Sequence, residues 1–229
     1  MRIATVMCAL LGLTTLAQAS PRRAQSSATR TPLVELYTSE GCSSCPPADE
    51  LIDELTARTS STGAPFIALA FHVDYWDEIG WPDPFASPRW SARQRARSRT
   101  IYTPEVLRDG REIDRDRLLS PSEPARAQLT LEVDGAQATV RASGGRKLYL
   151  AVAESGLVSH VGAGENRGRT LRHDHVVREL YGPFDAARPL QQTIAVAPAW
   201  NRAQLALVAF VEDDRGEVLN AVQLPLSAP

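Results

Sequence analysis

The most constraining feature of this sequence is a short apolar run, FIALAFHV, at residues 66–73. A run of this length is typical of a strand buried on both faces, as in a parallel sheet. An earlier strand is predicted at LVELY, residues 33–37, and apolar residues at helical spacing follow at Leu51, Ile52 and Leu55. Strand, helix and buried strand in this order predict a parallel crossover.

The segments after this crossover divide the chain into two predicted domains. A second helix is expected near residues 90–99, and Asp109-Gly110 predicts a hairpin turn before a short helical segment and the linker PSEPA. These elements predict an α/β domain at 31–121. Beyond the linker, apolar and polar residues alternate between turn signals, which predicts a small antiparallel, sandwich-like β accessory domain at 126–229.

The N-terminal residues have the pattern of an export signal. Arg2 precedes an apolar stretch at 3–16, and Ala17-Gln18-Ala19 offers small residues for cleavage after Ala19. We therefore expect a signal peptide at 1–19, a disordered leader at 20–30, and a periplasmic or secreted protein without stable membrane insertion after cleavage. The alternative is a short membrane anchor, although the stretch is shorter than the ~20 residues that a spanning helix needs.

Cysteine use limits what an exported chain of this kind can do. Of the three cysteines, Cys8 is expected to leave with the signal, which leaves Cys42 and Cys45. A disulfide across two residues closes too short a loop to stabilise much, so a purely structural bridge is disfavoured.

The formal net charge of −2 gives no support for a nucleic-acid partner. We interpret the arginine-rich run at 89–99 as a solvated helix face.

The motif SEGCSSCPP, residues 39–47, carries the chemistry. A cysteine at the start of a helix forms a thiolate more easily, and the sequence predicts that position for Cys42. Cys45 would then resolve a mixed disulfide, and Ser43 and Ser44 are candidate donors to the sulfur.

Further along, Thr103-Pro104 precedes the predicted hairpin. In a thioredoxin fold, a cis-proline loop at this point faces the cysteine pair and offers backbone groups to an extended substrate. The simpler interpretation is an ordinary turn proline, since only about 5–6% of X–Pro bonds in folded proteins are cis.

Three blocks of the sequence together carry a resemblance: VELYTSEGCSSCPPADELI, FHVDYWDEIGWPDPF and GENRGRTLRHDHVVREL. The chain resembles the secreted, thioredoxin-like domain-of-unknown-function 1223 family from about Leu33 onward. The resemblance implies a thioredoxin-like domain at 31–121, export and a thiol–disulfide role, but no established substrate.

Several residues outside the cysteine motif are candidates for substrate binding. Asp74 could manage a proton for Cys45, and Trp76 could form a wall of the substrate groove, because both follow the buried strand at the edge where ligand sites gather. With Thr103 and Pro104 they are the predicted substrate-binding residues. The tryptophans could equally serve packing, as could His72, for which that interpretation is preferred.

The block at 164–180 is expected to be a loop, and such a density of polar residues in a loop invites a function. One option is a zinc or copper site that joins His173 and His175 to the two cysteines. The preferred option is a hydrogen-bonded network that holds the loop or docks it on the first domain, with no metal bound.

The sequence therefore predicts an exported thiol–disulfide oxidoreductase in which Cys42 attacks and Cys45 resolves. Its partners would be protein or small thiol substrates and a redox recycling partner. No cofactor is needed, because the dithiol carries the electrons. The alternative is a binding module, either a copper or zinc metallochaperone or a scaffold with an inert bridge.

Overall fold

The computed structural model describes residues 21–62 and 66–227. The predicted signal peptide at 1–19, including Cys8, lies outside the described residues. The described residues form fourteen strands: β1 (Arg22–Gln25), β2 (Leu33–Thr38), β3 (Ile67–His72), β4 (Glu105–Arg108), β5 (Arg111–Glu112), β6 (Gln128–Asp134), β7 (Gln137–Ser143), β8 (Lys147–Glu154), β9 (Leu157–His160), β10 (Thr170–His173), β11 (Val176–Asp185), β12 (Leu190–Thr193), β13 (Leu205–Glu212) and β14 (Val218–Pro225). They also form two α-helices, α1 (Pro46–Thr62) and α2 (Pro88–Arg97), and three short 3₁₀ turns, Asp77–Ile79, Arg115–Arg117 and Arg202–Gln204.

An eight-stranded mixed sheet organises the molecule, with the order β14-β13-β8-β11-β3-β2-β4-β5. The predicted crossover is present, since β2 and β3 pair in parallel from Leu33↔Ile67 to Thr38↔His72. The apolar run therefore lies inside the sheet, as its composition predicts. On the other side of β3 comes β11, also parallel, through the pair Val176↔Ala70.

The two helices cover opposite faces of this sheet. On one face, Ala48, Ile52 and Leu55 of α1 pack in a buried cluster with Val34 and Leu36 of β2. Helix α2 begins after Ser87, whose hydroxyl accepts a hydrogen bond from the Arg89 N–H, and Pro88 occupies the first turn, where it needs no donor. Its Trp90 packs in the cluster of the opposite face.

Helix α2 also places two arginines inside that face. The Arg93 guanidinium lies 2.5 Å from Glu35 of β2, a fully buried carboxylate, and over the rings of three aromatic residues. Arg97 pairs with Glu35 at 3.3 Å and with Glu212 of β13. These ion pairs tie α2 to strands from both halves of the sequence.

A second sheet of four strands, in the order β1-β6-β7-β12, packs on β8, β13 and β14. Its first strand corrects the expectation of a disordered leader at 20–30. Residues 22–25 pair with β6 from Arg22↔Val133 to Gln25↔Thr130, and Arg30 is buried at 3.0 Å from Glu217. A polar segment is ordered here because it completes a sheet edge.

The predicted fold class, an α/β thioredoxin-like domain followed by a small antiparallel β domain, is wrong. Strand is the main secondary structure of the described residues, which contain only two α-helices, and a single large sheet takes strands from both sides of residues 121–126. One buried cluster also joins Phe71 and Trp90 to Tyr149 and Phe210. The error arose because local patterns give strands but not their partners: β8, β11, β13 and β14 extend the first sheet instead of closing a sandwich of their own.

None of the helices in the described residues is both long and apolar enough to cross a membrane.

Candidate functional site

The candidate site lies where β2 and β3 end together. Because these strands are parallel, their carboxyl ends meet at one edge of the sheet, which is where ligand sites gather in open sheets. The segment 39–45, which we call the dithiol segment, follows β2. The loop at 73–87 follows β3 and lies beside it.

Both cysteines of the dithiol segment are reduced and buried, Cys42 with 1% of its surface exposed and Cys45 with none. The sequence predicted that α1 begins at Cys42, but it begins at Pro46. The Cys45 carbonyl accepts the first helical hydrogen bond, from the Asp49 N–H at 3.1 Å, so Cys45 is the cap. Prolines 46 and 47 fix the start of α1, since proline is preferred in the first turn.

The two thiols differ sharply in acidity. The pKa of Cys42 falls to about 5, chiefly because the Cys45 thiol donates a hydrogen bond to its sulfur, with further hydrogen bonds from Ser44 and Thr103. The Ser44 hydroxyl lies 3.2 Å from the Cys42 sulfur. Burial, together with the nearby charge on Cys42, raises the pKa of Cys45 far above its usual value. One thiol is therefore stabilised as a thiolate and the other is held protonated.

The Thr103-Pro104 peptide bond is cis and faces the cysteines. While Cys42 is protonated, its thiol donates a hydrogen bond to the Thr103 carbonyl at 3.8 Å. The Thr103 hydroxyl accepts a hydrogen bond from the Trp76 indole N–H at 2.7 Å. Three predicted site residues, Thr103, Pro104 and Trp76, therefore lie together beside Cys42.

Asp74 is placed differently from the prediction. Its carboxylate accepts a hydrogen bond from the Ser91 hydroxyl, and its N–H donates to the same oxygen at 3.2 Å. These bonds attach Asp74 to α2 and hold the loop at 73–87. None of the hydrogen bonds of the described residues joins Asp74 to either cysteine, so the geometry favours a structural role.

Gly41 permits the close approach of this loop. A Cβ at this position would lie 3.0 Å from the Trp76 Cβ, so a larger residue would push the dithiol segment away from the tryptophan.

Below the dithiol segment lies a buried polar cluster that sequence reasoning missed. Glu40 accepts hydrogen bonds from the Trp81 indole at 2.6 Å and from His173 at 3.0 Å. The Glu40 N–H donates to Asp83, which also pairs with His72 at 2.7 Å. Burial alone would lower the pKa of His72, but Asp83 raises it, and His72 in turn lowers the pKa of Asp83. His72 is buried, as the preferred interpretation expected, but only its Nδ1 is paired, since its Nε2 has no hydrogen-bond partner among the described residues.

Asp49, one helical turn after Cys45, was also missed, since an acidic residue in a first turn is common. Its carboxylate accepts a hydrogen bond from Thr38 at 3.1 Å, and burial raises its pKa to about 7. The folded protein then keeps a proton on Asp49 between pH 3.8 and about 7, a proton that the unfolded chain releases.

We expect Asp49→Asn to remove part of the pH dependence of stability. In the wild type, protonated Asp49 contributes stability at about pH 4, and this contribution is lost as pH rises to about 7. The free energy of unfolding of the variant, relative to that of wild type, should therefore rise by on the order of 2–4 kcal/mol between these limits. Urea unfolding at pH 4.5 and pH 8 measures the difference. Glu50→Gln, at an exposed position on the same helix, is the control. Equal pH dependence in wild type and Asp49→Asn would contradict the assignment.

The polar block at 164–180 meets the dithiol segment directly, which agrees with the docking network preferred from the sequence. It is not the single loop that was expected, because β10 and β11 run through it. The Asn166 amide donates to the carbonyls of Glu40 at 2.8 Å and Cys42 at 2.9 Å. Glu165 accepts a hydrogen bond from the Ser43 N–H at 2.9 Å.

The alternative metal site is not assembled. Within 21–62 and 66–227, no group of three or more histidine, cysteine, aspartate or glutamate side chains is arranged to hold a metal ion. His173 is engaged with Glu40, and His175, whose φ is 59°, begins the turn into β11. The four ligands considered from the sequence are thus not brought together.

A comparison with known proteins gives a family and a fold. The model of the family described as "Protein of unknown function (DUF1223)" matches residues 33–212. No protein of curated function matches the sequence. The crystal structure of protein AGR_C_4864 from Agrobacterium tumefaciens is similar, with 22% identity and a TM-score of 0.63 over 86% of this chain and 95% of that chain. HBP35 of Porphyromonas gingivalis is similar with 15% identity and a TM-score of 0.62 over 89% of this chain and 78% of that chain. At such identities the likeness shows a common fold.

Proposed function

We propose that this chain, which belongs to the DUF1223 family, is an exported thiol–disulfide oxidoreductase. Its three sequence blocks indicated the family, but membership of the family assigns no activity, so the proposal is argued from the dithiol site. The observation that carries the proposal is the opposite perturbation of two adjacent thiols. Exchange needs one sulfur that ionises readily and a second that waits protonated until a mixed disulfide forms.

The reaction follows from this asymmetry. The Cys42 thiolate attacks one sulfur of a substrate disulfide, which forms a mixed disulfide and releases the other substrate sulfur as a thiolate that takes up a proton. Cys45 then loses its proton and attacks the Cys42 sulfur, which closes the Cys42–Cys45 disulfide and releases the second substrate thiol. Two electrons pass from the protein to the substrate, and an external thiol partner restores the dithiol.

The surroundings of Cys42 favour certain substrates. With 1% of its surface exposed, Cys42 cannot be reached by a disulfide embedded in a flat protein surface. A small disulfide or an extended peptide segment fits better, with the cis peptide at Thr103-Pro104 and the Trp76 ring on the approach side. The N-terminal signal pattern supports export as the setting, where disulfides form and persist.

Thiol alkylation tests the proposal. Reduced protein should be modified by iodoacetamide at Cys42 with a half-maximal rate near pH 5, while Cys45 stays unmodified until the protein unfolds. Equilibration with glutathione should place the pair between roughly −270 and −120 mV. Two thiols that both ionise near their ordinary value of about 8.5, or a bridge that resists reduction below about −300 mV, would overturn the proposal.

A further inference from the structure

The β9–β10 hairpin is set apart from the two larger sheets. Among the described residues, its two strands pair only with each other, from Thr170↔His160 to His173↔Leu157. An isolated two-stranded hairpin is marginal in water, so contacts beyond its own ladder must hold it in place. Its connecting loop, residues 161–169, extends to the dithiol segment.

Hydrogen bonds from this hairpin reach successive residues around the attacking cysteine. Asn166 binds the carbonyls of Glu40 and Cys42, Glu165 binds the N–H of Ser43, and His173 binds the Glu40 side chain. The hairpin therefore contacts the dithiol segment before, at and after Cys42.

Asn166 is the central contact of this set. It is buried with 1% exposure, and both of its amide bonds end on backbone carbonyls. Its own carbonyl accepts a hydrogen bond from Arg169 at 2.8 Å, which fixes the orientation of the amide. Such an arrangement holds the backbone in one conformation, since a buried carbonyl left without a donor is energetically unfavourable.

We infer that Asn166 is a positioning residue of the redox centre, which keeps the turn at 42–45 in the conformation that directs hydrogen bonds from Ser44 and Cys45 onto the Cys42 sulfur. The inference rests on the proposed function, because it assigns a role within that site. It places the origin of Cys42 reactivity partly in a hairpin more than a hundred residues away in sequence.

The mechanism of the effect is geometric. The Cys42 carbonyl also accepts the Cys45 N–H at 3.2 Å, so this carbonyl is shared between the turn and the hairpin. Without Asn166, the Glu40 and Cys42 carbonyls turn toward water, and the donors to the sulfur lose their alignment. The thiolate is then less stable and the disulfide form is relatively favoured.

The test is Asn166→Ala, read out by the pH dependence of Cys42 alkylation in the full protein. We expect the pKa of Cys42 to rise by about one unit or more, because roughly one hydrogen bond to the sulfur is lost. The equilibrium constant for reduction by glutathione should fall up to about tenfold, which equals about 30 mV for a two-electron couple.

Asn201→Ala is the matched control. Asn201 also makes a structural hydrogen bond through its side chain, accepting from the Ala203 N–H at 3.1 Å, but none of its hydrogen bonds within the described residues reaches the dithiol segment. This variant should change stability without moving the pKa of Cys42. An equal shift in both variants would mean a general loosening of the protein and would overturn the inference.

If Asn166→Ala does not fold, Arg169→Gln decides, because this exposed arginine acts on Asn166 through a single hydrogen bond. It should raise the pKa of Cys42 more than Arg167→Gln does. Arg167 is an exposed arginine of the same loop, so that variant controls for the lost charge. No difference between the two arginine variants would then overturn the inference.

The result also separates the inference from the proposed function. A wild-type Cys42 that ionises near pH 5 together with an unchanged, folded Asn166→Ala variant would overturn only the positioning role. A wild-type Cys42 with an ordinary pKa would overturn the proposed function itself.

Discussion

Replacing Cys42 with serine is expected to abolish thiol–disulfide exchange, with a loss of at least about a thousandfold, because a serine hydroxyl has no accessible anion at neutral pH. The fold should survive, since the substitution changes only one atom and Ser44 can hydrogen-bond the new hydroxyl. The measurement is the rate of reduction of a small aromatic disulfide and of a peptide disulfide by the reduced protein.

Cys45→Ser separates the roles of the two cysteines. This variant should still attack but should stop at the mixed disulfide on Cys42, which mass spectrometry detects as an adduct that dithiothreitol removes. Comparable exchange rates in Cys42→Ser and wild type, or an adduct on Cys45 of the Cys42→Ser variant at the wild-type rate, would contradict the assigned order.

The largest loss of stability is expected for Arg93→Met, at up to roughly 3–5 kcal/mol, because its removal leaves Arg97 alone to compensate the buried Glu35 carboxylate. Glu35 has no exposed surface, and its pKa stays low, although burial alone would raise it, because Arg93 and Arg97 lie beside it. Methionine keeps much of the apolar stem but also gives up the contacts of the guanidinium with Phe71, Tyr149 and Phe210. Urea unfolding followed by fluorescence measures the change.

Arg89→Met on the same helix is the matched control. Arg89 is more than half exposed and pairs at the surface with Glu179 at 2.6 Å. Exposed pairs of this kind contribute about 0–1 kcal/mol. If the two variants lost similar stability, the buried ion pairs of α2 would not be a main support of the fold.

Local structure was largely predictable from the sequence. The composition of 66–73 predicted the buried strand β3, and helical spacing of Leu51, Ile52 and Leu55 predicted α1. The turn at Asp109-Gly110 joins β4 to β5 as expected, through the pair Arg108↔Arg111. In each case the signal lies within a few residues, where side-chain periodicity and turn chemistry are decided.

Strand partners were not predictable in this way. The composition of residues 176–185 does not indicate that β11 lies beside β3, because the two strands are more than a hundred residues apart in sequence. Charged residues in β10 and β11 concealed the strands, so the block was expected to be a loop. The ordered leader was missed for the same reason, because β1 is a strand only by virtue of its partner β6.

The site was predictable in part. The spacing of Cys42 and Cys45 and the later Thr103-Pro104 pointed to the correct neighbourhood. Glu40 and Asp49 gave no signal because acidic residues in a turn or a first helical turn are ordinary. Asp74 was chosen for its place after β3, but sequence position does not reveal that Ser91 binds its carboxylate.

The distance in sequence between Asn166 and Glu40, 126 residues, bears on how the protein folds. Contacts between remote segments form slowly, because the loop they close costs entropy before any contact is gained. During synthesis, Cys42 and Cys45 emerge long before the hairpin that binds their backbone, so the early chain carries two ordinary thiols. If Asn166 has the proposed positioning role, Cys42 acquires its low pKa only when the hairpin from the last third of the chain has folded onto the dithiol segment.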